Sequence, residues 1–399
     1  MVRFAHIADV HIGSWRDPKM KMLSSKAFEQ AVDRCIAQHL DFVIIAGDLF
    51  NNALPAIESV KHCVRQLKRL KTNNIPVYII GGSHDYSASG KTMLDVLEEA
   101  ELLVNVMKGN VEDGFLQLKF TEDKKTGAKL TGILGKRGML DKEYYEKLQK
   151  TNLEEEGGFK IFLFHTALTE FKPEGYDAMS SSPLELLPKG FDYYAGGHVH
   201  YIFEKDEDEY GKIVFPGPLF PANFAELEEL KYGGFWICED KKLIREDIKI
   251  KDVINVNLEL DNKTPEEAMD IIKKHIPSTV KNCIILLRLS GQIQGKTTDI
   301  DFRSVFQELY QRGAYFVMKN TSKMISEEML IQEISESPSE IEETLLKKHS
   351  GQLKVDFNEV EMAKKLIKKL DNEKHEGEKQ YEYEERVKKE AGEVIGIQD

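Results

Sequence analysis

Cysteine is scarce in this chain. Four occur in 399 residues, Cys35, Cys63, Cys238 and Cys283, and no two form a CxxC pair. That spacing argues against a zinc knuckle or a disulfide framework and leaves small buried hydrophobes in a reducing compartment. Long apolar runs are missing too, so no segment reads as a bilayer span. The opening Arg3-Phe4-Ala5-His6-Ile7-Ala8 lacks a charged stretch followed by a long apolar one, and a secretory leader is not expected. These absences predict a cytoplasmic protein with no membrane association. Positive charge is in deficit, at a formal net of -13. A general polyanion-coating protein is therefore disfavoured, although a basic patch or bound metal ions can still act locally. No internal repeat is visible.

What is present is ordinary globular material, 41% hydrophobic, in a chain too long for one small core. A large domain with at least one smaller one is expected. Short runs rich in Val, Ile and Phe recur at Phe4–Ala8, Phe42–Ala46, Val77–Ile80 and Ile161–Phe164, with a weaker one at Tyr193–Ala195. A helix is predicted over Ser24–Leu40, with Phe28, Ala31, Val32, Cys35 and Ile36 on one face. Ile57, Val60, Val64, Leu67 and Leu70 repeat at helical spacing as well. Strand–helix alternation with apolar strands predicts an α/β sheet covered by helices. From about Ile202 to Ile250, short alternating strands with Gly, Pro and aromatics point to a second sheet, hence a β-sandwich flanked by helices.

A new unit is predicted from about Asp252. Val253–Leu258 reads as a strand, and Thr264-Pro265-Glu266-Glu267 as a helix start with a cap, a first-turn Pro and a Glu three residues on. A strand at Ile284–Leu289, a helix at Phe302–Gln311 and a strand at Ala314–Met318 complete a small α+β module ending near Asn320. A Glu- and Ser-rich linker comes next. Beyond it Val360, Ala363, Leu366, Ile367 and Leu370 form an apolar stripe flanked by lysines. The stripe fits a helix on its own core or a docking helix equally well. The organisation expected is 1–250, 251–321, a linker over 322–340, and a helical tail over 341–399.

The chemistry lies just past the strand ends. Asp9 and His11 come after the first strand, Gly47-Asp48 after the second, Gly82-Ser83-His84-Asp85 after the third, His165 after the fourth and Gly197-His198-Val199-His200 after the fifth. Each is commonplace alone: a buried His is usually a hydrogen-bonded core residue, and Gly-Asp is usually a turn. Five ends carrying five of the eleven histidines are hard to assign to turns and caps. In α/β sheets ligands bind beyond the carboxyl ends of the strands, where residues remote in sequence converge. Mixed Asp and His ligands fit manganese, iron or zinc better than magnesium or calcium. Asp48 is best placed to bridge two metals on the order of 3.5–4 Å apart, an arrangement suited to phosphodiester hydrolysis.

This ordered series, over roughly the first 250 residues, resembles the calcineurin-like metallophosphoesterases. The resemblance implies one metal on Asp9, His11, Asp48 and His200, and a second on Asp48, Ser83, His165 and His198. It places His84 at the scissile phosphate, with Asp85 orienting it. Ser83 departs from the family's usual Asn, and a hydroxyl is a shorter, weaker ligand than an amide carbonyl. Gly47-Asp48-Leu49-Phe50-Asn51 replaces the phosphatase text Gly-Asp-x-Val-Asp-Arg-Gly, and this is similar to the SbcD and meiotic recombination eleven nucleases. So is the opening Phe4–Gly13. For that branch the module would be a DNA-capping domain and the last helices a grip on an SMC-like ABC ATPase of the SbcC type. The implied activity is manganese-dependent cleavage of DNA in double-strand break repair, as exonuclease on duplex ends and endonuclease on single strands or hairpins. A homodimer through Val60, Val64 and Leu67 with Met93, Leu94 and Leu97, a nucleoid-associated location and an archaeal source are implied likewise.

Arg16, Lys19, Lys91, Lys136 and Arg137 lie near the motifs and are the candidates for phosphate contacts, although any one of them could be an ordinary surface charge. A phosphoesterase acting on nucleotides or phosphoproteins would account for the motifs and the acidity but not for the module and tail. A non-catalytic scaffold should have lost several ligands, and only Ser83 departs.

Overall fold

The structure, a computed structural model, describes residues 2–87, 90, 92–136, 138, 140–176, 178–240, 242–326, 346, 359–371 and 380–395. Its strands are β1 (Arg3–Ile7), β2 (Phe42–Ala46), β3 (Val77–Ile80), β4 (Val104–Asn105), β5 (Lys108–Glu112), β6 (Phe115–Lys119), β7 (Thr121–Glu122), β8 (Lys129–Ile133), β9 (Lys160–Phe164), β10 (Tyr193–Gly196), β11 (Phe203–Glu207), β12 (Gly211–Phe215), β13 (Gly233–Glu239), β14 (Lys242–Ile248), β15 (Val253–Glu259), β16 (Ile284–Ile293) and β17 (Phe316–Ser326). The α-helices are α1 (Pro18–Ala37), α2 (Ile57–Thr72), α3 (Met93–Glu99), α4 (Lys142–Glu146), α5 (Thr151–Glu154), α6 (Phe224–Leu230), α7 (Pro265–His275), α8 (Phe302–Gln311), α9 (Glu359–Leu370) and α10 (Gln380–Ile395). Contacts divide the chain into two compact units, residues 1–258, 275–288 and 303–320, and residues 259–274, 289–302 and 321–399.

The first unit is built on two mixed six-stranded sheets, ordered β14-β13-β1-β2-β3-β4 and β11-β12-β10-β9-β8-β7. Side chains alternate across each strand. Phe42 and Ile44 of β2, Tyr78 and Ile80 of β3, Ile161 and Leu163 of β9, and Tyr193 and Ala195 of β10 share one buried cluster between the sheets. The odd-numbered partners Val43, Ile45, Val77 and Ile79 turn the other way, into a core with Phe28, Val32 and Leu67 of α1 and α2. Phe162 and Phe164 face a third cluster on the outer side of the second sheet. Strands buried on both faces explain why these runs read as continuous apolar text rather than as alternation.

One sequence expectation is redistributed. The five motif-bearing runs do not share a sheet: β1, β2 and β3 lie in the first, β9 and β10 in the second. The region 202–250 is likewise divided. Here β11 and β12 join the second sheet, while β13 runs antiparallel beside β1, pairing Phe4 with Cys238 and Ala5 with Ile237. Helix α1 starts six residues before the expected Ser24, because Asp17 caps it and Pro18 occupies its first turn.

The later residues form a three-stranded sheet ordered β15-β16-β17 with α7 and α8. The Thr264 cap is present: its hydroxyl accepts from Glu267 N at 3.3 Å, and Glu267 Oε2 accepts from Thr264 N at 3.0 Å. Strand β17 runs to Ser326 and so takes in the first residues read as linker. The rest of that linker lies outside the described residues, as does much of the tail. In the second unit Lys369 of α9 pairs with Glu390 of α10 at 3.3 Å, and Ile367 and Leu370 of the apolar stripe are exposed. Of the residues expected at a dimer face, Leu67, Leu94 and Leu97 are buried on their own sheet, and Val60, Val64 and Met93 pack partly against it. No helix among the described residues is long and apolar enough to cross a membrane.

Candidate metal centre

The ends of β1, β2 and β10 carry the site on unusual backbone. Asp9, His11, Asp48 and His198 have φ of 49°, 45°, 54° and 84°. Such values in non-glycine residues cost about 1–3 kcal/mol each and persist only where the surroundings over-determine them. Here the surroundings are a hydrogen-bonded seam beyond the strands. Asp9 N donates to Gly47 O (3.2 Å), His11 N to Asp48 O (2.9 Å) and Ile12 N to Leu49 O (3.0 Å). Gly197 N donates to Phe164 O at 3.0 Å, tying the fifth motif to the fourth. A side chain at Gly47 would overlap the His165 ring, and one at Gly82 would overlap the Asp48 carboxylate. Both glycines therefore allow a close approach that nothing larger permits.

Ring nitrogens and carboxylates converge from these ends. His11 Nε2 lies 3.2 Å from His200 Nε2, 3.7 Å from Asp48 Oδ2 and 4.0 Å from Asp9 Oδ1. His200 Nε2 is 3.7 Å from Asp9 Oδ1. On the other side of Asp48, His165 Nε2 sits 3.2 Å from Oδ2 while its Nδ1 donates to Ala46 O at 2.8 Å. The His165 and His198 rings are 5.2 Å apart. Three overlapping groups, Asp9–His11–His200, Asp9–Asp48–His165 and His11–Asp48–His84, each keep their ligand atoms within 4.8 Å of one another. Ser83, His84, His165 and His198 line a cleft of about 400 Å³. A larger cavity of about 570 Å³, lined by Tyr78, Val104 and Asp123, holds none of these residues.

This donor set fits divalent cations. Asp9 and Asp48 are buried carboxylates whose close charge partners are histidines. His165 Nε2 is a buried atom with no aligned hydrogen-bond partner, and it faces Asp48. Two imidazole nitrogens facing each other at 3.2 Å, with carboxylate oxygens beside them, need a proton or a cation between them. Mixed nitrogen and oxygen donors of this kind suit manganese, iron or zinc.

Protons fill that need when metal is away. Burial lowers the His165 pKa, but the adjacent charge of Asp48 outweighs it and raises the ring to about 9. Burial also lowers His200, and Glu226 with Asp9 raises it to about 9. Asp48 is held well below the carboxylate range: burial raises it, and His165, His11 and His84 more than reverse that. Burial takes His11 down to about 3 and His198 to about 4, so both rings are neutral and ready to ligate. A metal bound at these residues would have to displace protons from His165 and His200. Manganese affinity is therefore expected to rise with pH from neutrality to about 9 and to level off above it. Calorimetry in two buffers of different ionisation heat measures the released protons; an affinity flat across that range contradicts the assignment.

The expected residues mostly meet here, with one correction. Asp85 does not bond the His84 ring directly. Its carboxylate accepts from Leu49 N (3.0 Å), Phe50 N (3.0 Å) and Gly82 N (3.1 Å), pinning the loop after β3 to the one after β2. Burial and the charge of Asp48 push its pKa up to about 7 against these donors. The His84 ring is held by Asn51, whose carbonyl lies 2.8 Å from Nδ1, and His84 N donates to Asp48 Oδ1 at 2.7 Å. Among the candidate phosphate contacts, Lys136 lines the cleft with its ammonium over the Tyr86 and Tyr144 rings. Arg16 and Lys19 are exposed, and Lys19 lies 5.4 Å from the Tyr310 ring centre. Lys91 and Arg137 lie outside the described residues. Glu226, 2.9 Å from His200 Nδ1, was not foreseen. Its only sequence signal is the Asn223-x-x-Glu226 helix start, which says nothing of His200.

Residues 2–201 match the family model described as calcineurin-like phosphoesterase. A protein of Archaeoglobus fulgidus named DNA double-strand break repair protein Mre11 is 29% identical over 245 residues, covering 57% of this chain and 52% of that one. A Saccharolobus solfataricus protein of the same name is 27% identical over 286 residues, covering 70% and 69%. A Bacillus subtilis protein named uncharacterized metallophosphoesterase YhaO is 24% identical over 244 residues, covering 57% and 56%. The chain thus spans about half the length of the Archaeoglobus relative.

Proposed function

Since the chain belongs to the calcineurin-like phosphoesterase family, we propose that it is a manganese-dependent DNA nuclease of the double-strand break repair kind. The observation that carries this reading is the convergence of buried Asp9, His11, Asp48 and His165 with the half-buried His200 on overlapping ligand positions beside His84. Asp9, His11, Asp48 and His200 would hold one metal, and Asp48, Ser83, His165 and His198 the other. When bound, the metals supply charge stabilisation for phosphodiester hydrolysis. The protein's own groups do the rest. With Nδ1 fixed on Asn51, His84 turns Nε2 toward the cleft, where it can protonate the leaving oxygen or stabilise developing charge. Asp85 keeps the loop that carries His84 against Asp48. Lys136, at the cleft wall, supplies positive charge for a flanking phosphate.

The repair assignment is supported by the named relatives and by the α+β region and helices beyond the catalytic core. In this reading 1–250 is the nuclease β-sandwich, 251–326 a DNA-capping domain that includes all of β17, 327–340 a linker and 341–399 the segment that engages an SMC-like ATPase. The exposed Ile367 and Leu370 on α9 suit that partner. A homodimer is proposed through α2 and α3, which also expose Ile57 and Val96, and the protein is assigned to the cytoplasm beside DNA.

The test is incubation with manganese and an end-labelled duplex, next to bis-p-nitrophenyl phosphate. Manganese-dependent shortening of the duplex supports the nuclease. Turnover of the small diester alone moves the assignment to nucleotides or phosphoproteins, and silence on both with no bound metal leaves a scaffold. Ser83 gives a second handle. Ser83→Asn restores an amide carbonyl and is expected to tighten manganese at the second position by about tenfold, the scale on which changes around a metal act. A titration showing unchanged affinity argues that Ser83 is not a ligand.

A further inference from the structure

We propose that Glu226 is a positioning residue for the metal centre: it fixes the ring and tautomer of His200 and so sets cation affinity at the position shared by Asp9, His11, Asp48 and His200. This rests on the metal-centre reading of the site. Glu226 lies in the first turn of α6, and its side chain is mostly buried. One carboxylate oxygen, Oε2, accepts from Ala222 N at 2.7 Å, while Asn223 Oδ1 accepts from Glu226 N at 3.0 Å. The other oxygen, Oε1, meets Asn223 Nδ2 and lies 2.9 Å from His200 Nδ1. The carboxylate is thus clamped by its own turn and presents one oxygen to the ring.

The consequence is chemical. With Nδ1–H donating to Glu226, the lone pair of His200 is placed on Nε2, the atom that faces His11 Nε2 and Asp9 Oδ1. Other rings of the site are fixed differently. His165 uses the Ala46 carbonyl and His84 the Asn51 carbonyl, while His11 Nδ1 is buried without a hydrogen-bond partner. Among these described rings, His200 alone has a carboxylate behind it. A carboxylate makes the far nitrogen a stronger donor than a carbonyl does, and losing such support costs about ten- to hundred-fold in metal affinity. The two metal positions therefore depend unequally on Glu226.

The experiment is manganese titration of the full chain by calorimetry and by electron paramagnetic resonance, without DNA. Wild type is expected to bind two ions. Glu226→Gln keeps the shape and one acceptor oxygen but removes the charge, and is expected to weaken one ion by about ten- to hundred-fold while leaving the other within about twofold. Glu226→Asp keeps the charge on a shorter arm and should fall between, which preserves the test if Glu226→Gln folds poorly. Glu228→Gln is the control. That residue is on the same helix but pairs with Arg288 at 2.6 and 2.8 Å, and its loss should leave both ions unchanged. Two ions at wild-type affinity in Glu226→Gln overturn the proposal alone, as does equal weakening by Glu228→Gln, which would make the effect one of helix α6. No manganese on wild type overturns the reading of the site with it.

Discussion

Asp48→Ala is expected to abolish manganese-dependent phosphodiester hydrolysis, a loss of about a thousandfold or more, since it removes several kcal/mol of metal-borne stabilisation at once. The Asp48 carboxylate stands in two of the three overlapping ligand groups, as do Asp9 and His11. One oxygen lies 3.7 Å from His11 Nε2 and 3.2 Å from His165 Nε2, so it stands between the two ligand sets. The other accepts from His84 N at 2.7 Å and holds the loop bearing the acid–base candidate. Alanine leaves His11 and His165 without their shared anion. Burial then favours the neutral ring at His165, whose pKa Asp48 had raised. The variant should bind at most one manganese by calorimetry and leave end-labelled duplex intact. Turnover above about one tenth of wild type would show that Asp48 does not bridge the centre.

The second large effect is expected at His84, and it separates chemistry from binding. His84→Ala should cut turnover by about a hundred- to ten-thousandfold, the range of a lost acid–base group. Manganese stoichiometry should stay at the wild-type value. The ring packs edge-on to His11 at 4.8 Å and is anchored on Asn51, so it borders the ligands and faces the cleft. On the proposed reading its side chain would lie beside the metals and act on the substrate. A loss of metal equal to the loss of rate would instead make His84 a ligand, as its place in the His11–Asp48–His84 group allows.

Much of this was legible in the residues, for identifiable reasons. Phe42–Ala46, Val77–Ile80 and Phe302–Gln311 form where their patterns predict, with Asp41 and Gly47, Pro76 and Gly81, and Asp301 and Gly313 marking the turns around them. The convergence of the strand ends was legible because Asp and His directly after an apolar strand have few structural uses in such number. Sheet membership was not legible. Nothing in Phe162 or Tyr194 says which of two sheets it joins, and β13 reaches β1 only through pairing across more than 200 residues. The partners of Asp85 are not legible either, because adjacency in sequence suggests the His84 ring, whereas the carboxylate reaches the backbone of Leu49 and Phe50. Glu226 was missed because a helix-start pattern reveals what the carboxylate does for its own turn and hides what it does for a ring 26 positions earlier.

The left-handed backbone at Asp9, His11, Asp48 and His198 bears on how such a chain could change over evolutionary time. A lineage that stopped using its metals would gain from glycine or asparagine at these four positions, because either relieves the local strain and nothing would oppose the exchange. Decay should therefore begin in the main chain as well as in the donor atoms. A chain that kept its metals would be expected to keep Asp or His at these positions, as all four do here.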